Sequence, residues 1–289
     1  MWVLSLILIL VFSSSAYADA GLLQKTTKNA VFHIPWEGNT ISWEFNKKDW
    51  GTWNILAVSV NKKYISSPTG TDWEYVYLAK PKEAVTADWL GGNHGNEVLK
   101  TLEFIVDGQV VKDGLYKVES NLVIKETTDL VYPVTKEIVG SVVRHYEVNL
   151  ENPNRLDFSQ KTIWHTDMDI DRAYICMLPI DKRYGRHFEM GNIKDSFANN
   201  VKTGNSKGWQ HVTETFLYGD NSWGMIAGID SLDSVDQYQY SKGGAFVWDL
   251  ASDHVKLYYP RAYEMGWRSV LADTIWQSAS YFIVVPVNN

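Results

Sequence analysis

A histidine in a glycine-rich stretch is the first feature of this chain that could do chemistry. Residues 89–100 contain three glycines, two asparagines, one histidine and one glutamate. Because glycine adopts positive φ values that other residues avoid, such a loop can hold polar groups at unusual angles. His94 is therefore a candidate general base or charge-neutralising group, and Trp89, Asn93 and Glu97 are candidate substrate contacts. The alternative is that His94 only hydrogen-bonds the backbone of its own loop.

Two strand-like segments add further candidates. In residues 142–150 the alternation of side chains places Arg144 on one face of a strand and His145 on the other. Both are candidate catalytic residues. Residues 163–171 alternate in the same way, and His165 on their polar face is a candidate substrate contact. If the two strands share a sheet, that face could bind a ligand; otherwise these are ordinary sheet histidines.

The metal-binding patterns in this sequence are incomplete. The histidine and glutamate of the glycine-rich stretch are three residues apart, but the surrounding glycines exclude the helical His-Glu-x-x-His pattern of zinc proteases. Asp167, Asp169 and Asp171 resemble a calcium ladder, yet Arg172 stands where a calcium loop needs glycine. We therefore expect no cofactor, with a structural calcium ion at the three aspartates as the alternative.

Tyrosine and lysine on one further segment suit β-elimination on a uronic-acid polymer. That reaction needs a group to neutralise the substrate carboxylate, a base for the C5 proton and an acid for the leaving oxygen. Period two places Tyr238, Tyr240 and Lys242 on one strand face, with the tyrosines as catalytic and the lysine as substrate-binding candidates. The chain has no Gly-x-Ser-x-Gly elbow for a serine hydrolase, and its many carboxylates select no pair for a glycoside hydrolase.

The segment from Tyr240 to Phe246, Tyr-Ser-Lys-Gly-Gly-Ala-Phe, resembles the Tyr-x-Lys-x-Gly-x-Tyr segment of jelly-roll alginate lyases. The resemblance implies a secreted all-β enzyme that degrades an anionic polysaccharide. It departs from the family at Phe246, where the catalytic tyrosine stands in those enzymes. The resemblance therefore requires Tyr240 or Tyr238 to replace the missing phenol, with His94 or His145 as neutraliser or base.

The elements that must position these residues are short strands. From residue 30 onward, aromatic and β-branched runs recur with turn signals about every ten residues, which predicts an all-β, antiparallel sandwich of jelly-roll type. Asp107-Gly108 between two apolar runs predicts a tight hairpin, because this pair suits a type I′ turn. Little helix is expected, with a turn or two allowed at residues 192–201.

Composition and the N-terminus bound the class of protein. Residues 1–20 read as a secretory signal peptide, because their apolar run is too short for a membrane span and small residues follow it. Residues 21–289 are expected to form one β-sandwich domain without a membrane span. A net charge of −7 and no basic cluster argue against nucleic-acid binding. Cys176, the single cysteine, lies in an apolar run and is expected to be buried and inert.

The aromatic count allows two interpretations. The chain has 13 Trp, 16 Tyr and 10 Phe residues, with more tryptophan than a core usually needs; sugar rings stack on flat aromatic rings, and wide sandwich cores also use large residues. Trp209, beside a glycine, is a candidate sugar platform, and packing at the rim of the sandwich is the alternative. The sequence thus predicts a secreted, extracellular or periplasmic protein that binds and cleaves an anionic polysaccharide, with lyase chemistry favoured. The alternatives are a non-catalytic carbohydrate-binding or adhesion module, or a glycoside hydrolase.

Overall fold

Alternating aromatic, β-branched and polar residues form short antiparallel strands throughout the computed structural model. It describes residues 20–66, 73–233 and 244–287, the side chains of 264–266 excepted. The strands are β1 (Gly21–Lys25), β2 (Asn29–Trp36), β3 (Asn39–Lys47), β4 (Trp53–Val60), β5 (Lys63–Tyr64), β6 (Val76–Pro81), β7 (Asp88–Leu90), β8 (Glu97–Val106), β9 (Gln109–Val111), β10 (Gly114–Val118), β11 (Asn121–Val131), β12 (Ile138–Asn149), β13 (Arg155–Trp164), β14 (Met168–Asp181), β15 (His187–Met190), β16 (Ile193–Ser196), β17 (Ser206–Gln210), β18 (Glu214–Tyr218), β19 (Trp223–Leu232), β20 (Ala245–Trp248), β21 (His254–Val270) and β22 (Ile275–Pro286).

These strands form three sheets in two layers. The first sheet has the order β10-β1-β2-β3-β4-β5, the large sheet β16-β15-β18-β19-β22-β13-β12-β11-β8-β9, and the third sheet β17-β20-β21-β14-β6-β7. A bridge between Ser66 and Ile180 joins the first sheet to the third, and the Asp181 amide donates to the Ile65 carbonyl at 3.0 Å. The joined pair therefore forms one layer and the large sheet forms the other.

The main core lies between the two layers. In β12, Val142, Arg144, Tyr146 and Val148 are buried, while the alternate positions are exposed or half-buried. The same inward face meets residues of both other sheets in one continuous cluster. One face of the large sheet is thus buried and the other faces solvent, as is common for antiparallel sheets. The predicted all-β sandwich of antiparallel sheets is confirmed.

The tight turns follow the predicted sequence signals. Asp107 and Gly108 have φ values of 49° and 80°, and Val106 pairs with Gln109 across them, so the predicted hairpin of β8 and β9 is confirmed. Helix in the described part is limited to an α-helical turn, α1 (Lys182–Gly185), and a 3₁₀ turn at Gly92–His94. The turn allowed at residues 192–201 is wrong, because β16 pairs there with β15. None of the described helices is long and apolar enough to cross a membrane.

The single strand expected over residues 163–171 is wrong. β13 ends at Trp164 in the large sheet and β14 begins at Met168 in the third sheet, so His165 lies exposed in the connection between layers. The turn is held by the Asp167 carboxylate, which accepts a hydrogen bond from the Ala272 amide at 2.9 Å. Period two continues unbroken through this turn, and the sequence pattern therefore conceals it.

A buried cluster of charged side chains connects the strands beneath the glycine-rich stretch. The Arg144 guanidinium on β12 forms ion pairs with Glu126 on β11 and with Glu97 on β8, the latter at 3.2 Å. All three side chains are buried. Glu97 also accepts from the Tyr75 hydroxyl, and Glu126 accepts from the Trp53 amide at 2.8 Å. The cluster thereby ties β4 of the first sheet, and Tyr75 immediately before β6 of the third sheet, to the large sheet.

Burial makes this cluster sensitive to pH. It holds two carboxylates for one guanidinium, and removal from water favours the neutral form of a carboxyl group. Burial raises the pKa of Glu97, and it raises the pKa of Glu126 to about 7 although Arg144 acts in the opposite direction. The folded protein therefore binds a proton at Glu126 over a range where the unfolded chain has released it.

The first prediction concerns Glu126→Gln. Between the unfolded pKa of 4.5 and the folded pKa of about 7, the Glu126 carboxyl group is protonated in the folded state and ionised in the unfolded chain. The free energy of unfolding of the parent protein therefore falls as pH rises through this range. Glutamine does not titrate. We expect the free energy of unfolding of Glu126→Gln, relative to the parent, to rise by about 2 kcal/mol between about pH 5 and about pH 8 in urea titrations.

The matched control is Glu103→Gln, which removes an exposed carboxylate from β8. Its stability relative to the parent should change little over the same pH range. A flat difference for Glu126→Gln as well would show that Glu126 is already ionised at the lower pH.

Candidate functional site

The outer face of the third sheet carries a second layer of aromatic side chains. β14 is buried at every position of 173–180, because its two faces are covered by different clusters. Ile175 and Leu178 belong to the main core, whereas Tyr174 and Met177 pack with Val76, Phe246 and Tyr258 in a cluster built only from third-sheet strands. An apolar face outside the core that is rimmed by polar groups is typical of a binding site.

Two adjoining cavities lie over this layer. The larger cavity, of about 420 Å³, is lined by Arg172, Tyr174, Gly204, Asn205, Ser206, Trp209, Phe246, Trp248, Tyr258 and Tyr263. The smaller cavity, of about 230 Å³, is lined by Val76, Trp89, His94, Arg172, Tyr174, Met177, Trp248, Lys256 and Tyr258. Four residues line both cavities, so the two form one continuous depression. We call it the aromatic groove.

Flat rings floor the groove from end to end. Trp209 stacks on Phe246 with ring centroids 4.2 Å apart, and Phe246 stacks on Tyr258 at 4.9 Å and an interplanar angle of 14°. At the other end Trp89 stacks on His94 at 4.9 Å. Flat aromatic rings of this kind also pack well against the apolar faces of sugar rings.

A bulge in β17 aims Trp209 into the groove. The register with β20 shifts between Lys207 and Gln210, and the two residues at the bulge, Gly208 and Trp209, have φ values of +102° and +32°. Positive φ in a tryptophan is strained backbone, which costs about 1–3 kcal/mol and is concentrated at functional sites. Bulges re-aim side chains in this way beside binding sites.

The groove is cationic as well as aromatic. Arg172 lines both cavities, with its guanidinium carbon 5.5 Å from the centre of the Tyr263 ring. Lys256 in the smaller cavity is only 4% exposed, and its Nζ lies 5.1 Å from the centre of the Tyr258 ring. Within the described residues, neither lining contains an aspartate or a glutamate. This combination favours an anionic, ring-shaped ligand.

The glycine-rich stretch places His94 at the rim. It forms the 3₁₀ turn Gly92–His94 between β7 and β8, and its φ is positive at Gly91 and Gly92. The Glu97 carboxylate accepts a hydrogen bond from the Gly92 amide at 3.0 Å, and the Asn93 side chain accepts one from Lys48 at 2.5 Å. Glu97 therefore points inward and fixes the turn, while His94 is exposed and lines the smaller cavity.

Of the candidates named from sequence, the structure brings Trp89, His94 and Trp209 into the groove. Arg144 and Glu97 line neither cavity, and their side chains are fully buried in the charged cluster that holds the loop. Their roles in catalysis and substrate binding stay predictions.

His145 lies on the opposite side of the molecule. It alternates with the inward residues of β12, so it faces solvent from the large sheet, whereas the groove opens on the third sheet. Burial lowers its pKa, and it lines a separate cavity of about 210 Å³ with Glu147, Asp157 and Asp230 among its neighbours. His94 and His145 therefore do not share a site.

Three candidates, Tyr238, Tyr240 and Lys242, lie outside the described residues. Of the segment that resembles the alginate-lyase motif, the structure describes its last three residues. Phe246, where those enzymes have tyrosine, packs between the rings of Trp209 and Tyr258 in the groove. Phe246 thus lines the groove, and the roles of Tyr238, Tyr240 and Lys242 stay predictions.

The three aspartates of the proposed calcium ladder have separate partners. Asp167 accepts from the Ala272 amide, Asp169 from the Ser269 hydroxyl at 2.7 Å, and Asp171 lies 3.4 Å from Arg172. Across the described ranges, no three His, Cys, Asp or Glu side chains are grouped to hold a metal ion.

Cys176 is fully buried as predicted, and burial raises its thiol pKa to about 12. A thiol in that state is neutral and shielded, which removes it from the candidate nucleophiles.

Sequence reasoning missed most of the groove lining: Arg172, Tyr174, Trp248, Lys256, Tyr258 and Tyr263. A signal was present for two of these, because Lys256 and Tyr258 are two apart on β21 and share a face. For Arg172 and Tyr174 the register of β14 shifts at three places, so period two cannot assign their face.

Comparisons with known proteins give a fold and no family. No family model and no curated protein sequence matches this chain. Among solved structures, the galactosidase domain of an α-galactosidase–sucrose kinase aligns with a TM-score of 0.53 and 9% identity over 91% of this chain and 41% of its own. An α-galactosidase from Lactobacillus brevis aligns at 0.51 and 8% identity, over 89% and 40%.

A heparan sulfate lyase from Pedobacter heparinus aligns at a TM-score of only 0.45 and 8% identity, over 92% of this chain and 36% of its own. The chain spans about two fifths of the length of the two α-galactosidase chains above. At these identities the likeness defines the class of fold, a β-sandwich of the kind present in those α-galactosidases, and nothing of the reaction.

The second prediction tests why the loop needs glycine. A Cβ at Gly91 would overlap Cε2 of Tyr75 and lie 3.0 Å from Oε1 of Glu97, and φ there is +87°. Gly91→Ala should lower the free energy of unfolding by about 3 kcal/mol, as measured by urea titration.

Gly38→Ala is the matched control, because Gly38 has a φ of +75° and nothing within 4 Å of an added Cβ. It should cost about 1 kcal/mol, from the backbone conformation alone. Equal losses in the two variants would contradict the close packing of Tyr75 and Glu97 against the loop.

Proposed function

We propose that the aromatic groove binds an acidic polysaccharide and cleaves it by β-elimination. The observation that carries the proposal is the lining itself, in which stacked aromatic rings surround Arg172, Lys256 and His94 while no described carboxylate contributes. Aromatic rings accept sugar rings, and cations in a partly buried site accept the carboxylate of a uronic acid. The likeness to α-galactosidase domains is compatible with a carbohydrate ligand, although it concerns the fold alone.

Each step of the elimination has a candidate in the groove. Arg172 and Lys256 neutralise the carboxylate, which makes the C5 proton acidic. His94 removes that proton, and the electron pair left behind forms the C4–C5 double bond as the C4–O bond breaks. Tyr258 lines both cavities, and its hydroxyl gives the leaving oxygen a proton. Tyr174, whose ring centroid lies 4.8 Å from that of Tyr258, is the alternative proton donor to the leaving oxygen.

The alternatives differ from the lyase in what they need. A glycoside hydrolase requires two carboxyl groups beside the scissile bond, and the described lining supplies none. A binding module needs only the rings and the cations, so it is the second candidate function. The proposal also includes export, because residues 1–20 have the pattern of a secretory signal.

The third prediction separates these functions. The protein is incubated with hyaluronan, unsulfated chondroitin, glucuronan and alginate, and the ultraviolet absorbance of the unsaturated uronide is followed beside new reducing ends. We expect both signals to rise together with at least one polymer. Arg172→Gln should lower kcat/KM by about 10²- to 10⁴-fold, because the carboxylate loses its main neutralising group.

His145→Ala is the control, since it removes a histidine from the opposite side of the sandwich and should change kcat/KM less than about twofold. Reducing ends without ultraviolet absorbance would identify a hydrolase. Binding without either signal would identify a binding module and contradict the lyase proposal.

A further inference from the structure

Charge is distributed unevenly along the aromatic groove. The smaller cavity is lined by His94, Arg172 and Lys256. The larger cavity shares Arg172 at the junction, and its remaining described lining contains no other lysine, arginine or histidine. Its polar lining at the far end comes from Asn205 and Ser206. Among the described residues, one end of the groove is therefore cationic and the other is polar but uncharged.

The cationic end suits a carboxylate. Lys256 is almost fully buried with its ammonium over the Tyr258 ring, so its charge acts in surroundings of low dielectric constant. The guanidinium of Arg172 presents a planar fork that matches the two oxygens of a carboxylate. A sugar acid held in the smaller cavity is thus recognised by its charge.

The uncharged end suits a neutral sugar. The Trp209 ring, stacked on Phe246 beneath it, offers an aromatic platform. Asn205 and Ser206 offer an amide and a hydroxyl that can hydrogen-bond sugar hydroxyl or acetamido groups. A second carboxylate in the larger cavity would lose its water while the junction arginine already serves the first. The larger cavity therefore selects an uncharged sugar in two ways, because it binds that sugar and because a uronic acid there would be desolvated without a cation of its own.

We propose that the smaller cavity holds a uronic acid and the larger cavity holds an uncharged sugar, so that the ligand is a polysaccharide in which acidic and neutral residues alternate. This inference rests on the proposed function, since it names the substrate class of the same groove. It distinguishes alternating polymers such as unsulfated chondroitin from polymers made of uronic acid alone.

The fourth prediction compares three tetrasaccharides of equal length: unsulfated chondroitin, oligoglucuronate and oligo-N-acetylglucosamine. Stopped-flow tryptophan fluorescence reads binding to the wild-type protein before turnover, because Trp89, Trp209 and Trp248 line the groove. The chondroitin tetrasaccharide should bind at least about tenfold more tightly than either of the others, which corresponds to about 1.4 kcal/mol.

A reciprocal variant tests the neutral end directly. Ser206→Lys adds a cation to the larger cavity and should reduce the preference for the alternating tetrasaccharide over oligoglucuronate by at least about tenfold. Ser206→Gln adds a side chain of similar reach without the charge, so it measures the steric part of the change, and the loss of preference in Ser206→Lys should exceed the loss in Ser206→Gln by at least about threefold. Equal shifts in the two variants would show a steric effect and overturn the inference.

The possible results distinguish a failure of this inference from a failure of the proposed function. If oligoglucuronate binds as tightly as the alternating tetrasaccharide, the inference fails while an acidic ligand still stands. If the neutral tetrasaccharide binds as tightly as both acidic ones, or if none binds, the inference and the proposed function fail together.

Discussion

The fold around the candidate site depends on one buried guanidinium. Arg144 is fully enclosed and pairs with Glu97 and Glu126, which come from the two strands beyond it in the large sheet. Replacing one partner of such a cluster leaves an uncompensated buried charge, and that typically costs about 3–5 kcal/mol. Because the Glu97 carboxylate also accepts a hydrogen bond from the Gly92 amide, the cluster sets the position of the turn that carries His94. The buried Arg144–Glu97 ion pair is thereby linked, through the Gly92 amide, to the exposed turn at the groove.

The two layers give the molecule two unlike outer faces. The solvent face of the large sheet carries charged residues such as Arg155, which bridges Asp157 and Asp230. The outer face of the third sheet is aromatic instead, and it bears the groove. Whether a side chain lines the groove therefore depends on the sheet that its strand joins and on the face of that sheet to which it points. His94 and His145 illustrate this, since similar chemistry on opposite faces cannot be combined.

Local signals in the sequence predicted local structure well. The Asp107-Gly108 hairpin follows from turn chemistry, and the alternation around Arg144 gave the correct opposite faces for it and His145. The site could be predicted only in part, because it assembles strands far apart in sequence. Trp89, Tyr174, Trp209 and Tyr258 meet through pairings that no local pattern records. A charged residue such as Arg144 also resembles a catalytic group until its burial is known.

We propose that the ligand binds on the outer face of the third sheet. Amide hydrogen exchange of the protein with and without an acidic tetrasaccharide tests it most directly, because it reports every segment at once. Binding in the groove should slow exchange at Gly92–His94 and Ser206–Gln210, which border the two cavities. Slower exchange confined to the large sheet around His145, with the groove segments unchanged, would contradict it.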